Sequence, residues 1–316
     1  MTLSKVVARN TWIWSVLGSL ALWVVISIMT HRFSLQMLSV SATLASFLVL
    51  LSLGQMTVIT SGDGAIDLSS QYTVALAAYI SSMLSAHYGI AMGLIVSLVV
   101  CICVGVTIGT INLYFRVPPM ITTLAVGFVI YSVVLIVSRM TTGMPSAGVA
   151  HFAQKLRVLG LSPMIFVAAA VAGIMGVLMY RTRFGKRLHA VGQNRTAAAL
   201  AGIDVTRVVI TAFVLSSVLA GVAGTLMGGY FGGASQDMGV SYLMTSVAAT
   251  VIGGTSAAGG KSSVAGAVAG SLLLAFLVAF LNLTMLPASF QKIIQGALLM
   301  IILIASVPKG RRFAAA

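Results

Sequence analysis

Long apolar runs, placed almost end to end with very little acid between them, constrain this chain more than any other feature. Its only acids are Asp63, Asp67, Asp204 and Asp237, and it has no Glu. Charged residues are 7% of the 316 and hydrophobic residues 59%, whereas soluble domains carry about 25% charged residues. Within a bilayer every backbone N–H and C=O needs a partner inside the protein, so runs of this kind fold as helices. The expected class is an all-α polytopic membrane protein, a single transmembrane domain over residues 1–316.

Ten apolar stretches can be marked: Trp12–Met29, Leu38–Ile59, Tyr72–Leu84, Ile90–Ile111, Met120–Val137, Met164–Tyr180, Val208–Gly229, Tyr242–Ile252, Val264–Leu281 and Phe290–Val307. The first is too long for a signal-peptide core, and Thr30-His31-Arg32-Phe33 offers no small-residue cleavage site. The third and eighth are short. The third follows a break, Thr60 to Ser70, rich in Gly, Asp and Ser; the eighth precedes another, Gly253 to Ser263. Short segments beside such breaks mark discontinuous helices in transporters. Spans two to five and seven to ten therefore read as an inverted repeat, offset by five spans. Gly105 and Gly109 in the fourth span, and Gly221, Gly224 and Gly228 in the seventh, suit close helix packing.

Charge sets the orientation. The longest polar passage, Arg181 to Arg207, holds Arg181, Arg183, Lys186, Arg187, Arg195 and Arg207 against Asp204 alone. Lys and Arg beside span ends stay in the cytoplasm. With both termini cytoplasmic, the inside also holds Lys5, Arg9, Arg116, Lys261, Lys309, Arg311 and Arg312, leaving Arg32, Arg139, Lys155, Arg157 and Lys292 outside. Removing one span would move the tail or the central loop to the wrong side. The formal charge of +14 is thus a topological signal. It does not indicate nucleic-acid binding, since no soluble basic domain is present to hold a duplex.

No constellation for covalent or metal chemistry stands out. Cys101 and Cys103, two apart in an apolar run, point to different sides of a helix. His31, His87, His151 and His189 are scattered, and the 17 Met read as core or lipid-facing residues. Gly259-Gly260-Lys261-Ser262-Ser263 ends like a phosphate loop, but Thr255 stands where the first Gly should be and membrane spans flank it. It reads as a glycine-rich turn.

Asp67 reads first as a cap for the helix that follows and second as a proton or sodium site. With no second acid cluster in the spans, ion coupling is a poor power source. Gln55, Asp67, Thr122, Thr123, Ser246, Thr250 and Asn282 are the candidate translocation path. They offer hydrogen bonds without much fixed charge, as a neutral polyol requires. The same groups can also simply bond helix to helix.

Four stretches, in order along most of the chain, carry a resemblance. Thr182-Arg183-Phe184-Gly185-Lys186-Arg187, Ala190 to Asn194, Ala197-Ala198 and Gly202-Ile203 resemble the cytoplasmic motif of the membrane permeases of sugar ABC importers, the ribose, xylose, galactose-type and autoinducer-2 group. Gly64 to Ser69 resembles their GGIDLS element, with Ala65 interrupting the usual run. Arg116 to Pro119 with Thr122-Thr123-Leu124 resembles VPPFIATLG, and Val251 to Ser256 with Gly259-Gly260 resembles VIGGTSLSGG.

The resemblance implies a bacterial inner-membrane permease subunit, not itself an enzyme and with no cofactor of its own. It implies a second permease chain, identical or related, two cytoplasmic ATPase subunits that hold ATP and Mg, and a periplasmic sugar-binding protein. It assigns ATPase coupling to Arg183, Gly185, Lys186, Arg187, Gly192, Asn194, Ala198 and Gly202. The alternatives are a secondary transporter or channel that works alone, or an ABC permease for branched-chain amino acids or nucleosides.

Overall fold

A computed structural model describes residues 12–29, 35–284, 286–287, 289–291, 293–297 and 300. In chain order the helices are α1 (Trp12–Met29), α2 (Leu35–Thr60), α3 (Ser70–Tyr88), α4 (Ile90–Tyr114), α5 (Pro119–Met140), α6 (Ala147–Ala150), α7 (Pro163–Arg181), α8 (Arg183–Gln193), α9 (Arg195–Leu200), α10 (Val205–Phe231), α11 (Val240–Ile252) and α12 (Val264–Leu283). A π-turn, His151–Lys155, continues α6. Among the described residues the only β feature is one isolated bridge, Val158 to Leu161.

Seven of these helices are long and apolar enough to cross a membrane: α1, α2, α4, α5, α7, α10 and α12. The third stretch is longer than its expected bounds, Tyr72–Leu84, and α3 has 19 residues. Its serines do not break it: Ser81 bonds back to the Ala78 carbonyl and the side chains of Ser82 and Ser85 are buried. Ser85 and His87, just past the expected end at Leu84, had hidden the last turn. The eighth stretch is short as expected; α11 has 13 residues, about 20 Å of helix against roughly 30 Å of hydrocarbon. Most of the expected tenth span, with Lys292, Lys309, Arg311 and Arg312, lies outside the described residues, as do Lys5, Arg9 and Arg32.

The bundle is built around α2. Its sequence from Leu44 to Ile59 is apolar nearly all round, the pattern of a helix with no solvent face. Phe47, Leu50, Leu53 and Met56 are fully buried. The helices α10, α12, α11 and α7 pack around it. Outward faces of α4 and α5 carry Ile95, Val99, Ile102, Ile121, Phe128, Val129 and Ile136, all exposed. Apolar side chains outside and hydrogen-bonded serines inside fit a chain whose solvent is lipid.

The small residues of α4 act as expected. A Cβ at Gly105 would come within 2.5 Å of the Val214 Cα, and one at Gly109 within 2.8 Å of the Ile210 Cα. Backbone therefore lies against backbone where α4 crosses α10. Cys101 is buried and Cys103 exposed, and both are free.

Contacts between connectors define two ends of the bundle. At one end the α10–α11 connector meets the last turn of α5 and the α5–α6 connector: the Ala234 N–H donates to the Gly143 carbonyl at 2.8 Å and Gln236 to the Ser138 hydroxyl at 2.9 Å. At the other end the α2–α3 connector, the α8–α9 segment and the α11–α12 connector converge. The Gly260 N–H donates to the Thr60 carbonyl at 3.0 Å, and His189 shares a 2.8 Å hydrogen bond with Ser262.

Candidate functional site

The central polar passage folds as two short helices joined at an angle. In α8, Gly185, Leu188 and Val191 are buried while Arg183, Lys186 and Arg187 are exposed. Spacings of three place the apolar residues on one face, and the bases are left in solvent. Gly185 sits so close to the end of α7 that a Cβ there would overlap the Met179 carbonyl. Asn194 ends α8 and begins α9: its side chain accepts from the Ala197 N–H at 3.0 Å. The Ala-rich run Arg195–Leu200 then forms the small helix its composition favours. Ala198 is buried, and Leu200 is 86% exposed. Gly202, with φ of 77°, turns the chain out of α9 by the left-handed backbone a Gly adopts freely. Asp204 caps α10 through the Arg207 N–H.

Glycines fasten this unit to the bundle. A Cβ on Gly192 would fall on the Thr60 carbonyl oxygen and lie 2.5 Å from the Gly260 nitrogen. A Cβ on Gly259 would lie 2.5 Å from the Gly62 Cα. Three backbone segments thus touch without side chains between them. An ion pair adds to this junction, Arg195 Nη1 to Asp63 Oδ2 at 2.8 Å. These contacts join α8 and α9 to the end of α2 and to the α11–α12 connector.

A second polar assembly lies beside this junction. Asp67 is fully buried, and its Oδ1 accepts from the Ser69 N–H at 3.0 Å and the Ser69 hydroxyl at 2.6 Å. Its Oδ2 accepts from the Ser216 hydroxyl of α10 at 2.7 Å. Gln55 completes the clasp: it donates to the Asp67 carbonyl at 2.7 Å and accepts from the Asp67 N–H at 3.1 Å. Asp67 organises the turn that starts α3 rather than capping the helix itself, because Ser69 is the N-cap residue. It also ties α2, α3 and α10 together.

The expected path residues are divided among several places. Gln55, Asp67 and Thr123 meet at the α2–α3 connector, where the Thr123 hydroxyl donates to the Ile66 carbonyl at 3.0 Å. Thr122 bonds within the first turn of α5. Ser246 and Thr250 lie on α11, and Thr250 donates across to the Ser52 carbonyl of α2 at 3.0 Å. Asn282, near the far end of α12, is exposed and stands apart from the rest. The sequence reading missed Ser216, Ser52 and Ser271; the Ser271 hydroxyl donates to that of Ser52 at 3.0 Å. The adjacent Ser216 and Ser217 inside an apolar helix were the available signal.

Residues 37–303 match the family described as branched-chain amino acid transport system / permease component. The chain belongs to this permease family. Among curated relatives, the galactose/methyl galactoside import permease protein MglC of Escherichia coli strain K12 is 31% identical over 289 residues, covering 84% of both chains. The autoinducer 2 import system permease protein LsrD of Salmonella typhimurium is 27% identical over 253 residues, 77% of this chain and 75% of that one. No solved structure matches. The permease is thus a multi-pass membrane protein, as its apolar helices require. Among the described residues it has no cluster of His, Cys, Asp or Glu fit to hold a metal ion.

Proposed function

We propose that this permease is the transmembrane subunit of an ABC importer that carries a sugar or sugar-like polyol across the inner membrane. Two ATPase chains holding ATP and Mg power it from the cytoplasm, it pairs with a second permease chain, and a periplasmic binding protein supplies solute. The observation that carries this reading is the glycine junction. Helices α8 and α9 stand out from one end of the bundle with Leu200 and three bases in solvent, yet backbone contacts fix them to α2 and to the α11–α12 connector. That is the form of a lever. Nucleotide-driven movement of the ATPases would push on α8 and α9, and the bundle would rock between outward- and inward-facing states.

Topology follows from the same end. Placing the basic α8–α9 end in the cytoplasm makes α3 run outward and α11 return inward, which supports ten spans with both termini inside. The Gly-rich connector after span two lies on the inner side and that after span seven on the outer side, the sense an inverted repeat requires.

Branched-chain amino acids, named in the family's description, are the second reading. Their zwitterionic ends call for fixed charges along the path. Asp67, the one fully buried acid among the described residues, is held by serines instead of a cation, which favours a neutral solute, as does the likeness to a galactose/methyl galactoside import permease. Purification from the native membrane in mild detergent, followed by reconstitution, tests the assignment. An ATPase should co-purify, and the vesicles should take up galactose-type sugars only with ATP. Solute movement by the chain alone without ATP would replace this reading with a secondary transporter or channel.

A further inference from the structure

A cavity of about 450 Å³ opens beside the glycine junction, between the α4–α5 link and the start of α9. Asp63, Asn112, Arg116, Val117, Pro118 and Arg195 line it. Its polar groups are left incomplete. Arg195 gives Nη1 to Asp63, but its Nε and Nη2 are buried and have no hydrogen-bond partner among the described residues. These two nitrogens form the flat edge with which a guanidinium grips two oxygens of a carboxylate or phosphate. Asn112 is 5% exposed and donates from Nδ2 to the Val117 carbonyl at 2.7 Å, while its Oδ1 is buried without a donor. Orphaned buried polar groups are costly, and here two donors and one acceptor belong to side chains that line one cavity.

The surroundings favour an anion. Arg116 adds a second positive charge, held in the left-handed region with φ of 54°. Pro118 and Pro119 begin α5 with no side-chain cap, so the positive end of a 22-residue helix is presented there. Asp63 offsets one of the two charges through its pair with Nη1, so the net positive charge left at the cavity is that of Arg116.

The position points to lipid. Tyr114 and Phe115, next to the cavity along the chain, are 83% and 73% exposed, as aromatic residues are at headgroup level. From Pro119 onward the exposed Met120, Ile121, Leu124 and Phe128 run away from the site along α5, a surface for an acyl chain. We propose that this cavity binds a phosphate ester bearing a hydroxyl group, supplied in the membrane by the headgroup of an anionic phospholipid such as a phosphatidylglycerol. The phosphate would lie on the Nε–Nη2 edge of Arg195 and near Arg116, with the hydroxyl donating to Asn112 Oδ1. Lipid would then bridge the coupling unit to the α4–α5 link. This site depends on the membrane placement of the chain and not on which solute it carries.

The test uses the full chain, purified and stripped of lipid in detergent, with native mass spectrometry as the readout. Short-chain phosphatidylglycerol, short-chain phosphatidylcholine and glycerol phosphate are added in parallel. Phosphatidylglycerol should be retained about tenfold better than phosphatidylcholine. Arg116→Asn, which tolerates the left-handed backbone, should remove most of that preference. Arg195→Lys keeps a charge for Asp63 but lacks the flat edge, and should remove it as well. Glycerol phosphate that binds and displaces the lipid would support the site but assign it to a soluble phosphate ester. Equal retention of the two lipids, or a preference untouched in both variants, would overturn the proposal. So would a wild-type chain without lipid preference whose Arg195→Lys form loses its ATPase, since the edge would then serve a partner's carboxylate.

Discussion

Replacing Gly192 with valine is expected to leave the chain in the membrane and to uncouple it. A Cβ at this position meets the Thr60 carbonyl and the Gly260 nitrogen, both backbone atoms that cannot rotate away. Overpacking among flexible side chains costs about 1–3 kcal/mol, and contacts with fixed backbone fall at the upper end of that range or above it. The cost is relieved if α8 swings off the ends of α2 and α12. The helices that insert are untouched, so membrane content should stay near wild type. ATP-dependent uptake should fall by about tenfold or more, while ATP hydrolysis by the assembled complex continues. Uptake measured in vesicles alongside hydrolysis checks this, and unchanged uptake would show that the junction transmits nothing. Ala198→Leu, buried on the inner side of α9, should act in the same direction.

Asp67→Ala is expected to be the most destabilising single change in the described interior. It removes three hydrogen bonds to the carboxylate and leaves the Ser69 and Ser216 donors buried without an acceptor. Bonds to charged groups contribute about 1.5–3 kcal/mol each and are not additive, so a loss of about 3 kcal/mol or more is expected. Ser216→Ala removes one of these bonds and should cost about 1–2 kcal/mol. Asp67→Asn should fall between them, because an amide can accept from Ser69 and donate to Ser216. Unfolding in detergent can be followed through the buried thiol of Cys101 with a thiol-reactive dye, in a Cys103→Ser background. An Asp67→Ala protein that unfolds with wild type would refute the clasp and return Asp67 to the list of simple turn residues.

Much of this was legible in the chain because a membrane simplifies the code. Apolar length gave the helices, and the all-round apolar character of α2 matches its enclosed position. The end of α3 was misplaced because the polar Ser85 and His87 follow Leu84, yet Ser85 is buried and the helix continues to Tyr88. Gly62, Gly192 and Gly259 were each visible as breaks or motif residues. That they touch one another was not visible, since nothing local links positions so far apart in sequence. The same is true of Ser216, whose partner Asp67 lies 149 residues away. Asn282 was grouped with the path on polarity alone, and polarity carries no depth along a helix.

Cross-linking decides whether α8 and α9 are the surface through which an ATPase drives the permease. Leu200, at the tip of α9, and Leu159, near the α5–α6 end of the bundle, are 86% and 91% exposed. Leu200→Cys and Leu159→Cys, each in the Cys103→Ser background, can carry a photoreactive group in native membranes. The ATPase should be captured from position 200 and not from position 159. Capture from position 159, or from neither position in a complex that still transports, would contradict it.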